Sequence, residues 1–127
     1  MSKAGMQTTT QELSEAVQLY LDLMYDCDIG KFDRVFGGTS QLHGFRDGKM
    51  TCWPAAQYKE VLAGRKAPKV LGAPREEQIL LLDVASATQA LAKVRVRIND
   101  MVFVDYLSYH KIDGRWLITS KAYHRER

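Results

Sequence analysis

The stretch that decides the fold is MVFVDYLSYHKIDGRWLITSKAY, Met101 to Tyr123. It holds two runs of alternating side chains joined by Asp113-Gly114, a residue pair typical of two-residue hairpin turns. Val102 to Ile112 and Arg115 to Tyr123 are therefore predicted to be neighbouring antiparallel strands. One residue is unexpected there, because Asp105 lies in the middle of the most apolar strand of the chain.

Two earlier segments extend the same pattern. Glu77 to Val84 and Thr88 to Ile98 are predicted to be strands of one antiparallel meander, and Asn99-Asp100 forms the turn before the hairpin. The second of them alternates most clearly, with Ala90, Ala92, Val94, Val96 and Ile98 against Leu91, Lys93, Arg95 and Arg97. One face of the predicted sheet is therefore expected to be buried and the other to be exposed to solvent.

The amino-terminal part is predicted to be helical. Thr9 and Glu12 have capping-box spacing, so a helix is expected to begin there, and residues 1–8 are expected to form a disordered tail. The apolar stripe of this first helix consists of Leu13, Ala16, Val17, Tyr20, Leu21 and Met24. A shorter helical turn is predicted over Ile29 to Phe36, with Gly37-Gly38 ending it.

The next segment predicts a small hairpin and a third helix. Asp47-Gly48 is a turn pair between two short extended runs, and a helix is expected to begin at Pro54 and to end near Ala63. Gly64 to Arg75 is expected to be a mobile loop. Helices followed by long antiparallel strands predict one α+β domain over residues 1–127, with the helices packed on one face of a curved sheet.

Composition excludes several classes of protein. The chain has 127 residues and a net charge of +3, and its basic residues form no stripe with interleaved aromatics, so nucleic-acid binding is not expected. Cys27 and Cys52 have no metal-like spacing and are expected to be reduced thiols. The start MSKAGMQTTT has no apolar segment and no run is long enough to span a membrane, so a cytoplasmic location is expected.

Three segments carry a resemblance: LYLDLMYDCDIGKFDRVF, LHGFRDGKM and VDYLSYHKIDGRWLITSKAYH. From about Glu12 to His124 the chain resembles the putative lumazine-binding family of the nuclear transport factor 2-like superfamily, which includes ketosteroid isomerase, scytalone dehydratase and SnoaL-like polyketide cyclases. The resemblance implies a cone whose wall is the bent sheet, plugged by the helices and often leaving a pocket at the wide end. It also implies a homodimer formed through the outer face of the sheet.

Two interpretations of Asp105 remain open. Alternation places Asp105 on one face with Phe103, Leu107 and Tyr109, and this face is expected to point toward the helices. An unpaired buried carboxylate is costly. Asp105 therefore either lines a pocket as a general acid or base, or accepts hydrogen bonds that tie the sheet to a helix.

His43 is the predicted companion of Asp105, because a histidine pointing inward from its short strand would give the carboxylate a partner and form an acid–base pair. On the last strand, Trp116 and Ile118 are expected to share a face with Ser120. The candidate ligand-binding residues are Tyr20, Trp53, Tyr58, Phe103, Tyr109 and Trp116. No glycine-rich phosphate loop is present and the histidines lack metal-ligand spacing, so neither a cofactor nor a metal is expected.

These observations predict a pocket for a small hydrophobic or aromatic metabolite that carries a carbonyl group. An enzyme of this kind would be a cofactor-free isomerase, dehydratase or cyclase that works by acid–base proton transfer. The alternative is a non-catalytic ligand-binding or dimerisation module. Lys93, Arg95 and Arg97, with Tyr106 and His110 beside them, lie on the convex face and are expected to form a homodimer interface.

Overall fold

The computed structural model describes the backbone of residues 3–127 and the side chains of residues 8–127. Helices come first and strands dominate the second half of the chain. The elements are α1 (Lys3–Asp26), a 3₁₀ turn (Ile29–Lys31), α2 (Phe32–Val35), β1 (Phe36–Arg46), β2 (Lys49–Pro54), α3 (Ala55–Gly64), α4 (Pro68–Leu71), β3 (Glu77–Val84), β4 (Gln89–Ile98), β5 (Met101–Ile112) and β6 (Arg115–Arg125). This order confirms the predicted α+β class.

The six strands form one sheet in the order β2-β1-β6-β5-β4-β3. The β1–β2 hairpin and the β3-to-β6 meander are antiparallel, as predicted. The two predicted Asp-Gly turns have left-handed backbone at both residues, which the hairpin twist requires. The sequence did not predict the parallel pairing of β1 with β6, which joins the hairpin to the meander.

The first helix is longer than predicted. It begins at Lys3, so Thr9 lies inside the helix as a buried residue, and the expected cap at Thr9 is wrong. Met1 and Ser2, the start of the expected tail, lie outside the described residues. Extending an existing helix by one more residue costs far less than starting one, which explains why the helix runs past a local capping pattern.

Two further boundaries differ from the prediction. The second helical segment ends at Val35, and Gly37-Gly38 belong to β1, because the chain turns to an extended conformation at Phe36. The expected loop from Gly64 to Arg75 contains the short helix α4, which Gly72 ends with a left-handed conformation. Pro68 begins that helix, where its missing amide costs nothing.

The core lies between the concave face of the sheet and helices α1 to α3. The predicted inward residues of β4 are buried, as are Asp105, Leu107 and Tyr109 of β5, and the apolar stripe of α1 packs against them. Between residues 3 and 127, no helix has both the length and the hydropathy needed to cross a membrane.

A bulge in β6 changes which side chains point inward. Tyr109 pairs with Ile118 and Ser108 pairs with Ser120, so Thr119 is an extra residue on β6. A bulge of this kind shifts the alternation by one position. The expectation that Ser120 shares the inward face is therefore wrong, and Lys121 occupies that face instead, opposite Leu107.

Candidate functional site

A buried carboxylate lies at the centre of the site. Asp105 is 1% exposed, and the Tyr20 hydroxyl on α1 donates a hydrogen bond to its Oδ2 at 2.5 Å. The Lys121 ammonium on β6 lies 3.9 Å from the same oxygen. Oδ1 is also buried, yet it accepts no hydrogen bond from the described part of the chain. One carboxylate oxygen is therefore held by Tyr20, while the other has no hydrogen-bond partner among the described residues.

Lys121 is held in an apolar shell. Its Nζ donates a hydrogen bond to the Tyr58 hydroxyl at 3.2 Å and lies 5.2 Å and 4.9 Å from the ring centres of Tyr20 and Tyr58. The two rings and the Asp105 carboxylate offset the cost of removing the ammonium from water. Sequence analysis gave Lys121 no role, because unbroken alternation placed it on the face exposed to solvent.

Tyr20 acts as a donor in this arrangement and not as a base. Burial, followed by the negative charge of Asp105, raises the pKa of Tyr20 well above its usual value. The hydroxyl therefore keeps its proton over the working pH range and continues to hold Asp105 Oδ2.

A cavity of about 460 Å³ opens beside Asp105 and Lys121. Its aromatic wall is formed by Tyr58, Trp53, Tyr123 and Phe103, which contact one another in that order with ring centres 6.1, 6.4 and 6.5 Å apart. The aliphatic lining consists of Leu42, Ile98 and Met101. A flat apolar molecule fits such a wall, and the volume is within the usual range for small-ligand sites.

Gly44 makes room for one of these rings. A Cβ added at Gly44 would lie 2.5 Å from the nearest atom of the Tyr123 ring, so the ring lies directly against the backbone of β1. The Tyr123 hydroxyl bonds to Thr51, whose Oγ1 donates to the Gly44 carbonyl at 2.9 Å. Sequence reasoning missed both Gly44 and Tyr123, although a glycine inside a strand often marks such a close approach.

The predicted site residues divide into four groups. Trp53, Tyr58, Phe103 and Asp105 line the cavity. Tyr20 lies behind Asp105, fully buried.

Tyr109 and Trp116 are buried in the core and are not among the cavity-lining residues, so the structure does not bring them to the site. Both are large inward-facing residues of β5 and β6, and they pack in the core outside the cavity lining.

His43 is not brought to Asp105. Leu42 points into the core and lines the cavity, so alternation along β1 turns the half-buried His43 to the opposite face of the sheet. The expected Asp105–His43 pair is not formed, and Lys121 is the charged partner of Asp105.

Comparison with known proteins identifies the family of the chain. A family model described as "Putative lumazine-binding" matches residues 8–124. The chain belongs to this family. No curated protein matches it in sequence.

Solved structures show the fold of this member of the "Putative lumazine-binding" family. A nuclear transport factor 2-like protein of unknown function from Shewanella baltica is 21% identical, with a TM-score of 0.82 over 100% of this chain and 98% of that one. A ketosteroid isomerase-like protein from Erwinia carotovora atroseptica is 13% identical, with a TM-score of 0.71 over 92% and 95%. A protein from Novosphingobium aromaticivorans described as "Putative Scytalone Dehydratase" is 11% identical, with a TM-score of 0.70 over 99% and 89%. The nuclear transport factor 2-like fold predicted from the sequence is thereby confirmed.

Proposed function

We propose that this protein binds a small aromatic, carbonyl-bearing molecule in the cavity and moves a proton on it with Asp105, without a cofactor. One observation carries the proposal: Asp105 lines the cavity, and its buried Oδ1 has no partner within the described side chains. A buried acceptor left without a donor is costly, and such groups are concentrated at functional sites.

The proposed step is proton abstraction next to a carbonyl group. Asp105 Oδ1 takes the proton, the C–H electron pair becomes the enolate double bond, and the carbonyl oxygen gains the negative charge. Lys121 lines the same cavity and supplies positive charge to that oxygen. Return of the proton to another carbon gives an isomerase. In a dehydratase the enolate electrons instead expel a hydroxyl group from the β carbon, which takes the proton from Asp105 and leaves as water.

His43 has no part in this step, since its strand turns it away from the cavity. Lys121 has the role, partner of Asp105, that the sequence analysis assigned to His43. The descriptions of two similar structures, one "ketosteroid isomerase-like" and one "Putative Scytalone Dehydratase", support an isomerase or a lyase. The family description supports a flat bicyclic ligand, since lumazine is one.

Hydrogen–deuterium exchange on β-tetralone, a flat bicyclic ketone, tests the proposal. In heavy water the protein should accelerate exchange of the α protons, and Asp105→Asn should lower that acceleration on the order of 100-fold. Exchange is followed by proton NMR, with Asp83→Asn on β3 as the control because this exposed carboxylate lies outside the cavity. Equal acceleration by the wild type and Asp105→Asn would show that Asp105 is not the base.

A non-catalytic binding module is the alternative, and one observation favours it. Asp105 Oδ2 is already held by Tyr20 and Lys121, so the polar groups partly satisfy each other without any substrate. In that case β-tetralone would bind and change the fluorescence of Trp53, while exchange would stay at the buffer rate.

A homodimer and a cytoplasmic location stay predictions. The convex face supports the dimer, because Leu81 and Tyr106 are 48% and 44% exposed there and Lys93 Nζ lies 5.4 Å from the Tyr106 ring centre. Sedimentation equilibrium should give twice the chain mass, and Tyr106→Glu should give the single-chain mass by burying a charge in the interface. Val70→Glu, on α4 away from this face, is the control. A monomeric wild type would contradict the prediction.

A further inference from the structure

Three arginines line the cavity without a carboxylate partner. Arg46, Arg65 and Arg125 all border the cavity, and none forms an ion pair among the side chains of residues 8–127. Two other arginines of the sheet are paired, Arg95 with Glu126 and Arg97 with Glu76. The guanidinium groups at the cavity are therefore available to something else.

Arg65 and Arg46 show what kind of group is missing. Arg65 Nη1 is buried and donates no hydrogen bond within the described residues, although the guanidinium also lies beside the Cys27 thiol. A buried cationic donor without an acceptor is costly. Arg46 lies 5.8 Å from the ring centre of Trp53, which leaves its N–H edge free to bind an acceptor. An anionic ligand would supply acceptors to both guanidinium groups.

The β5–β6 register sets the backbone spacing between Arg125 and Asp105. Tyr123 pairs with Asp105 and Arg125 pairs with Phe103, and all four belong to the inward face that lines the cavity. Two residues along a strand span roughly 7 Å. A ligand that reaches both Arg125 and Asp105 therefore carries its negative charge roughly that far from its reacting C–H group, with the ring between them.

We infer that the cavity takes a flat aromatic carboxylate. Its ring packs against Trp53 and Tyr123, its carboxylate meets the guanidinium groups of Arg46, Arg65 and Arg125, and its far end reaches Asp105 Oδ1. A guanidinium fork matches the two oxygens of a carboxylate, which gives orientation as well as affinity. The carboxylate site itself does not depend on catalysis; only the orientation of the reacting end rests on the proposed function.

Calorimetric titration with a matched pair of probes tests this inference. β-Naphthoate and β-naphthalenemethanol have the same ring system and differ in charge. We expect the wild type to bind naphthoate about 10-fold more tightly than the alcohol, and Arg46→Gln and Arg125→Gln each to weaken naphthoate about 10-fold, since each removes a charge-assisted hydrogen bond. The alcohol should bind both variants as it binds the wild type. Both arginines are exposed enough that the substitutions leave the core intact.

Arg95→Gln is the matched control, because it removes the same charge outside the cavity. Equal affinity for the two probes, a loss reproduced by Arg95→Gln, or no binding of either probe would overturn the inference. Tighter binding of β-naphthyl phosphate than of naphthoate would overturn the carboxylate assignment. The two proposals fail separately: a wild type that prefers naphthoate but does not accelerate proton exchange on β-tetralone keeps the carboxylate site and loses the catalytic role.

Discussion

Replacing Asp105 with asparagine should lower the free energy of unfolding by about 3 kcal/mol, because it leaves a buried ammonium without its counter-charge. The side chains of Lys121 and Asp105 are 6% and 2% exposed, so water replaces the lost partner poorly. The Tyr20 hydroxyl would keep an acceptor in the asparagine carbonyl, which limits the loss to the charge. Urea denaturation followed by far-UV circular dichroism measures the change.

Two further variants identify the cause of this loss. Lys121→Met alone should also destabilise, since it leaves the Asp105 charge uncompensated. The double variant Asp105→Asn with Lys121→Met should recover much of the stability, because removing both charges avoids burying either one alone. Losses that simply add in the double variant would contradict the interpretation as a charge pair.

An exposed ion pair provides the control. Lys111 Nζ lies 2.9 Å from Glu12 Oε2, with the two side chains 30% and 43% exposed. Lys111→Met should cost less than about 1 kcal/mol, because solvent screens the charges of such pairs. A similar cost for Lys111→Met and Lys121→Met would show that burial of the Asp105–Lys121 pair contributes little.

The architecture was predictable because its signals are local. Asp47-Gly48 and Asp113-Gly114 specify turns by backbone conformation alone, and the alternation of β4 specifies a half-buried strand over ten residues. Asp105 was found for a similar reason, since a carboxylate in an apolar strand conflicts with its neighbours. Where the local preference of each segment agrees with the fold, a single sequence is sufficient to predict the architecture.

The partner of Asp105 was not predictable in the same way. The bulge at Thr119 has no local signature, and it alone turns Lys121 inward and Ser120 away. The prediction for His43 was wrong for the opposite reason: its strand alternates regularly from Ser40 to Phe45, but the packing of Leu42 decides which face points inward, and the sequence does not reveal that packing. A one-residue error in phase moves a side chain to the other face of a sheet, so site residues on strands are lost more easily than the strands themselves.

Gly44→Ala should cost about 2 kcal/mol, because the new methyl group would overlap the Tyr123 ring. Three ring atoms lie 2.5 to 2.6 Å from the position of that Cβ, closer than any ordinary contact. The ring cannot retreat freely, since Thr51 holds its hydroxyl and Trp53 and Phe103 lie beside it. The expected shift is into the cavity, so Gly44→Ala should also weaken binding of β-naphthalenemethanol.

Gly38→Ala is the matched control, since Gly38 lies on the same strand with nothing within 4 Å of a Cβ. That substitution should leave stability within about 1 kcal/mol of the wild type, because it only restricts the unfolded chain. Tyr123→Ala should make the two glycine substitutions equivalent, as the ring that distinguishes them is gone. If Gly44→Ala is as mild as Gly38→Ala with Tyr123 in place, the ring does not lie against Gly44 in solution, and the aromatic wall of the cavity is not built as described.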